Sequence, residues 1–229
     1  MKALFLFTTM FLFAMVCKSE DIFFPSKVGT VLVYKSFDKK NKQTNTMKYT
    51  ITNLKKSGDN MDITYLCEST DPKDKLIFKE EITIHKIGDK LYFDMSNFIN
   101  KAAFQKDGAI PAEVEVTGNN MEIPSNPSPG NTLPDANIMM AMKMGIITMK
   151  MSAEVTNRKV ESIEDITVTG GTFSCYKLTS DVNTSGFGFK MKVKSAEWYA
   201  RGIGIVKSES YDKNGNLQSR TELVEVRKS

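Results

Sequence analysis

The chain is poor in the residues that carry chemistry. Its 229 residues include one histidine, His85, one tryptophan, Trp198, and three cysteines. A Ser-His-Asp or Cys-His centre would need His85 beside Ser174, Cys175 or Cys67, yet His85 stands in alternating text between Ile84 and Lys86, and no Gly-x-Ser-x-Gly elbow is present. Adjacent acids such as Glu80 and Glu81, or Glu164 and Asp165, point to opposite faces of a strand; only Glu113 and Glu115 share one, most simply the wet one. No catalytic residue is assigned.

A dominant charge is also missing. The formal balance is +4, and no dense Arg/Lys patch is interleaved with stacking aromatics, so nucleic acid is disfavoured as a partner. Long apolar runs are absent except at the start, where Lys2 precedes a largely apolar run from Ala3 to Cys17. That run has the length of a signal h-region and falls short of the roughly 20 residues a spanning helix needs. Residues 1–19 therefore read as a signal peptide, and 20–229 as a single domain of an exported, periplasmic or extracellular protein. "AMVC" approximates a lipoprotein box, but Val16 sits where a small residue is wanted. Ordinary cleavage near Cys17 to Ser19 is favoured, and a membrane is a partner only if Cys17 is lipidated as in an outer-membrane lipoprotein. Export permits a disulfide between Cys67 and Cys175, but both lie in strand-like text where buried free thiols are common.

What the chain has in abundance is period-two alternation, as in "TVLVYKSF", "MDITYLCE", "AEVEVT" and "RTELVEV". Such text makes strands with one buried and one wet face, and short turns between them make the sheet antiparallel. Three turns look alike: "SFDKKNKQ", "STDPKDKL" and "SYDKNGNL". Each sets an Asp where its side chain can bond turn amides; a calcium loop is disfavoured because lysines interrupt all three and the terminal bidentate Glu is missing. "DMSNFINKAAFQKDG" from Asp94 reads as one short helix, and "IPSNPSPGNTLPD" from Ile123, with four prolines, as a segment crossing an end of the fold.

"AEWYARGIGIVKSESYDKNGNL" holds Trp198 and a Gly-x-Gly. A phosphate-binding loop needs a helix after the glycines, and here strand text continues. Gly202 and Gly204 are expected at a bulge, a bend or a close backbone approach, with Trp198 packed near that corner and Tyr199 on the opposite face.

Together with "NRKVESIEDITVTGGTFSCYKLTS" and "GNTLPDA", this stretch resembles a family of uncharacterised exported proteins of Bacteroidetes, carrying domain-of-unknown-function and TapB-like labels. The resemblance covers about the last hundred residues. It implies an extracytoplasmic β-barrel-like or half-open sheet and no catalytic residues. His85 stands where relatives would have a cysteine, which weakens any family disulfide.

"IMMAMKMGIITMKM" packs six methionines into fourteen residues. Thioethers could hold Cu(I), but the alternation of Met149 and Met151, and of Met140, Met142 and Met144, is that of core strands, so no metal site or cofactor is assigned. In "FGFKMKVK", Phe187, Phe189 and Met191 share a face opposite Lys190 and Lys192. An ordinary filled core is the favoured reading; the alternative is an apolar pocket lined by Met140, Met142, Met144, Met149, Met151, Phe187, Phe189 and Trp198.

The expected fold is all-β, an antiparallel barrel or half-open barrel of about ten to twelve strands with one short helix, or alternatively a β-sandwich. The expected function is non-enzymatic: binding of a lipid or other apolar small molecule, or alternatively a structural or interaction role with another envelope protein. A hydrolase built around His85 ranks third.

Overall fold

The computed structural model describes residues 22–95, 113–144, 147–186 and 188–228. Among these residues, thirteen strands, all paired antiparallel, form one sheet. The first meander is β1 (Val31–Asp38), β2 (Gln43–Ser57), β3 (Asn60–Thr70), β4 (Leu76–Ile87) and β5 (Lys90–Phe93). Next come β6 (Glu113–Gly118), β7 (Met121–Pro124), β8 (Ala136–Met144) and β9 (Ile147–Val168). The chain ends with β10 (Gly171–Gly186), β11 (Phe189–Ala200), β12 (Gly204–Tyr211) and β13 (Leu217–Arg227). Pairing of β13 with β1 joins the two meanders into a single sheet.

The spatial order runs β6-β8-β9-β10-β11-β12-β13-β1-β2-β3-β4-β5-β7, so the two edge strands, β6 and β7, are consecutive in sequence. Only Asn119 and Asn120 separate them. A link this short spans about 10 Å at most, so the two edges must come together and the sheet must curl. The result is a half-open barrel whose edges are joined by one bent strand, not by a ladder. Asn119 fixes the bend: its N–H donates to Asn137 O at 2.9 Å, its Oδ1 accepts from Asn137 N at 2.7 Å, and its Nδ2 donates to Asp135 O at 2.9 Å. Arg158 of β9 reaches across the same seam, donating to Pro134 O at 2.6 Å and to Glu122 O of β7 at 2.9 Å.

The three Asp turns are one device used three times. Asp38 accepts from the amides of Lys40 and Lys42, Asp71 from those of Lys73 and Lys75, and Asp212 from those of Asn214 and Asn216, all within 2.8 to 3.0 Å. The fourth residue of each is left-handed: Asn41, Asp74 and Gly215. Amide donation holds the Asp38 and Asp212 carboxyls below the usual carboxylate range.

Three apolar clusters fill the fold. The largest joins Phe23 and Phe24 to Ile51, Ile63, Tyr65, Ile84 and Tyr199. A second packs the end of the β9–β10 hairpin, through Ile166, Val168 and Phe173, onto Trp198, Val206, Leu32 and Leu223. The third holds Met95, Met121, Ile138, Met140 and Met142.

The strand count exceeds the expected ten to twelve; β5 and β7 are only four residues long, too short for alternation to mark them. The sheet curls onto itself, so the sandwich alternative does not apply. The helix expected over residues 94–108 lies outside the described residues beyond Met95. The proline-rich segment runs along β9, where Gly130 N donates to Val160 O and Leu133 N to Arg158 O.

Gly118 has φ +147, and a Cβ there would overlap Asn137 O and lie 2.8 Å from Ile138 Cα. Gly118→Ala is expected to cost about 3 kcal/mol or more, whereas Gly58→Ala, with positive φ but open space, costs about 1 kcal/mol. Urea denaturation of the two variants checks this; equal costs would remove the seam's special role.

Candidate functional site

The inward positions of β1 to β4 carry large side chains at adjacent registers. Tyr34 pairs with Met47 across β1 and β2, Tyr49 with Cys67 across β2 and β3, and Cys67 with Glu80 across β3 and β4. The tyrosines form a continuous run, with ring centroids 5.1 Å apart for Tyr34 and Tyr49 and 5.0 Å for Tyr49 and Tyr65; Phe24 extends it at 5.2 Å from Tyr65. Such tilted pairs add about 0.5 to 1.5 kcal/mol each beyond their burial.

These rings do not fill the interior. They border a cavity of about 370 Å³, closed on the far side by Tyr199, Ile205, Ser208 and Thr221 of β11, β12 and β13. Phe78, Ile82 and Phe93 complete the apolar wall, and Glu80, Asp94 and Glu197 supply its acids. Such a volume falls within the range of roughly 300 to 1,000 Å³ typical of small-molecule sites. Glu80 lines the cavity while Glu81 is exposed, as strand alternation requires.

The Gly-x-Gly stretch builds one end of this chamber. Gly202 N donates to Ile22 O at 2.7 Å, and Gly204, φ +94, lies where a Cβ would sit 3.2 Å from Phe23 O. The glycines let the segment Ile22 to Phe24 dock against the sheet. Phe23, 1% exposed, meets Tyr176 at 5.1 Å and Tyr199 at 6.3 Å edge to face, while Arg201 lies over the Phe23 ring at 5.1 Å. Trp198 and Tyr199 take opposite faces of β11: Tyr199 lines the cavity, and Trp198 lies in the second cluster. There the Trp198 indole N–H donates to Glu164 at 2.6 Å, with Lys177 and Lys207 over the ring at 5.1 and 5.0 Å.

Glu197 is the most constrained charge of the site. It lies deep in the protein yet keeps partial accessibility, because it faces the empty chamber. Burial raises its pKa, against the opposing pull of the Tyr199 hydroxyl, which donates to it at 2.7 Å, and of the Arg158 charge. Burial likewise raises the Tyr34, Tyr49, Tyr65 and Tyr199 phenols and pushes the Cys67 thiol up to about 12.

The methionines named from the sequence come together elsewhere. Register sets Met140 opposite Met151, Met142 opposite Met149, and Gly186 between Met151 and Phe189, so they share one face of β8 to β11. Met140 and Met142 are buried and Met149 and Met151 partly so, while Phe189 is 53% exposed. None of these, nor Trp198, lines the aromatic cavity. The Met144 side chain and Phe187 lie outside the described residues.

His85 sits on the surface, its Nδ1 2.7 Å from Asp62. Asp62 is five residues from Cys67 on β3, roughly 17 Å along the strand, so His85 and Cys67 do not meet. Cys67 and Cys175 are both free and buried, in different clusters, so no bridge forms between them. Among the described residues, no three His, Cys, Asp or Glu side chains gather as a metal site. No helix among them is long and apolar enough to cross a membrane.

Sequence reasoning missed the tyrosines, Phe23, Phe24 and Glu197. The register that brings Tyr34, Tyr49 and Tyr65 together passes through bulges between Ser36 and Phe37 and between Ile51 and Asn53, so counting from the turns does not give it.

Two expectations follow. A carboxyl whose pKa is raised by folding binds more protons in the native state than in the unfolded chain. Above its ordinary value of 4.5, stability therefore falls as pH rises through the raised pKa. Glu197→Gln removes that contribution, so the variant's melting temperature relative to the parent should climb over this window; a pH-independent difference would refute it. Both cysteines, with pKa values pushed up to about 12, should react with iodoacetamide at pH 8 at least about a hundredfold more slowly than after unfolding, read by mass spectrometry.

Comparison with known proteins places this architecture. The DUF3108-like family pattern matches residues 27–223. No curated protein matches the chain by sequence. Two crystal structures share its fold: a candidate exported protein with a YmcC-like fold from Bacteroides fragilis, and a candidate lipoprotein from Parabacteroides distasonis. The first has 22% identity and a TM-score of 0.72, the second 24% and 0.73; each match covers 90% of this chain and 98% of the other. With its half-open thirteen-stranded barrel and a match reaching from Lys27 to Leu223, the chain belongs to the DUF3108-like family.

Proposed function

We propose that the protein is an exported, non-enzymatic binding module of the cell envelope that holds an apolar small molecule or lipid inside its curved sheet. The observation that carries this is the cavity of about 370 Å³ walled by tyrosine and phenylalanine rings. Export is supported by the signal-like run up to Cys17 and by the two structural relatives, described as an exported protein and a lipoprotein. Lipidation of Cys17 would set the barrel beside a membrane.

The chamber is preferred to the methionine face as the ligand's seat. Met140 and Met142 are 3% and 1% exposed and already have packing partners, so they offer little free surface. The aromatic walls border empty volume, and filling it gains dispersion contacts that the rings now lack.

A protein-interaction role is the second reading. It is favoured by Phe189 and Met191, about half exposed beside Lys190 and Lys192 on β11. Flanking lysines would let such a surface dock an acidic partner.

The test is Nile red uptake by the mature chain, with native mass spectrometry of protein taken from its own envelope. Thr221→Phe and Ser208→Phe, which place a ring in the chamber, are expected to weaken dye binding about tenfold or more at unchanged circular dichroism. Uptake undiminished in both folded variants would exclude the chamber as the binding site.

A further inference from the structure

We infer that the ligand of the aromatic chamber carries a positively charged ammonium group on an apolar body; this rests on the chamber's being the binding site. The chamber's own charges point one way. Glu80 and Glu197 line it, and among its described lining residues there is no lysine, arginine or histidine. Arg158 influences Glu197, but its terminal nitrogens are committed to the carbonyls of Pro134 and Glu122.

The walls agree with the acids. Tyr34, Tyr49, Tyr65 and Tyr199 border one volume, and the negative π faces of such rings attract cations most strongly where water is excluded. Quaternary ammonium recognition in general uses aromatic rings arranged around the charge. Glu197 supplies the counter-charge: Tyr199 satisfies one of its oxygens, and the residue faces the chamber.

Other head groups fit less well. A carboxylate or phosphate entering the chamber would meet acids without a lining cation, which is the arrangement binding sites use to exclude a partner. A neutral alcohol could bond Ser208, Thr221 or Glu197 but would gain nothing from the ring faces as a cation does. An ammonium group gains from both, while its alkyl body packs on Phe78, Ile82 and Ile205.

The experiment uses three probes with the same ten-carbon chain, decyltrimethylammonium, decanol and decanoate, each below its micelle concentration. They compete with Nile red for the mature protein. Decyltrimethylammonium is expected to bind about tenfold or more tightly than decanoate, with decanol between them. Glu197→Gln and, separately, Glu80→Gln should shrink that ratio to about threefold or less, the loss falling on the ammonium probe. Decanol or decanoate binding as tightly as the ammonium, or a ratio untouched in both folded variants, would overturn the charge assignment alone. Failure of all three probes to compete would overturn the binding reading itself.

Discussion

Everything in this molecule depends on a two-residue link. β6 and β7 occupy opposite edges of a thirteen-stranded sheet, and Asn119 and Asn120 are all that separates them. Had the loop been long, the sheet could have opened and its inner face would be a flat hydrophobic surface. Because it is short, the edges are drawn together and the inner face becomes an interior. Gly118 permits the close passage, Asn119 holds it with three hydrogen bonds, and Arg158 ties β9 to β7 across the same seam. Arg158 is 4% exposed, so burial opposes its charge, and the two carbonyls it bonds offset that cost.

Curling the sheet leaves more interior than the side chains occupy. One part is filled densely by methionines, which adapt to irregular space. Another is sealed by Phe23 and Phe24, brought in by the glycines of β12's approach. The part between β1 to β4 and β11 to β13 is walled by tyrosines whose rigid rings cannot collapse into it. The chamber is therefore a consequence of which residue types face inward where: flexible side chains close their space, and rings hold theirs open.

Much of this was legible in the sequence. Alternation gave antiparallel strands, and the Asp turns were read correctly because their chemistry is local, set by three to five consecutive residues. Strand text after the Gly-x-Gly matches β12, which begins at Gly204, but the contact of these glycines with Ile22 and Phe23 spans about 180 residues and has no local signature. The shared face of Met140, Met142, Met149, Met151 and Phe189 was likewise readable from period two. The chamber's position was not. Whether an inward face is filled or empty depends on how far apart opposite walls stand, and that is fixed by the β6–β7 link and the curl it imposes. Glu197 was invisible for the same reason: beside Trp198 it reads as a wet-face acid, and only closure makes that face an interior.

Burial also sets the chemistry of the side chains that line the chamber. Low local polarity raises the pKa of acids because it disfavours their charged forms. Cys67, pushed up to about 12, is a thiol at neutral pH and so a poor nucleophile, and the tyrosines are held further from ionisation than free phenols. Glu197, its pKa raised by burial, takes up a proton more readily than a free carboxyl, and His85 is on the outer surface with Asp62. A ligand cation would favour the ionised form of Glu197, opposing the effect of burial. The same exclusion of water that quiets the reactive side chains strengthens attraction between a buried carboxylate, an aromatic wall and an ammonium group. For the ammonium ligand inferred above, selectivity in such an interior would rest on charge more than on shape.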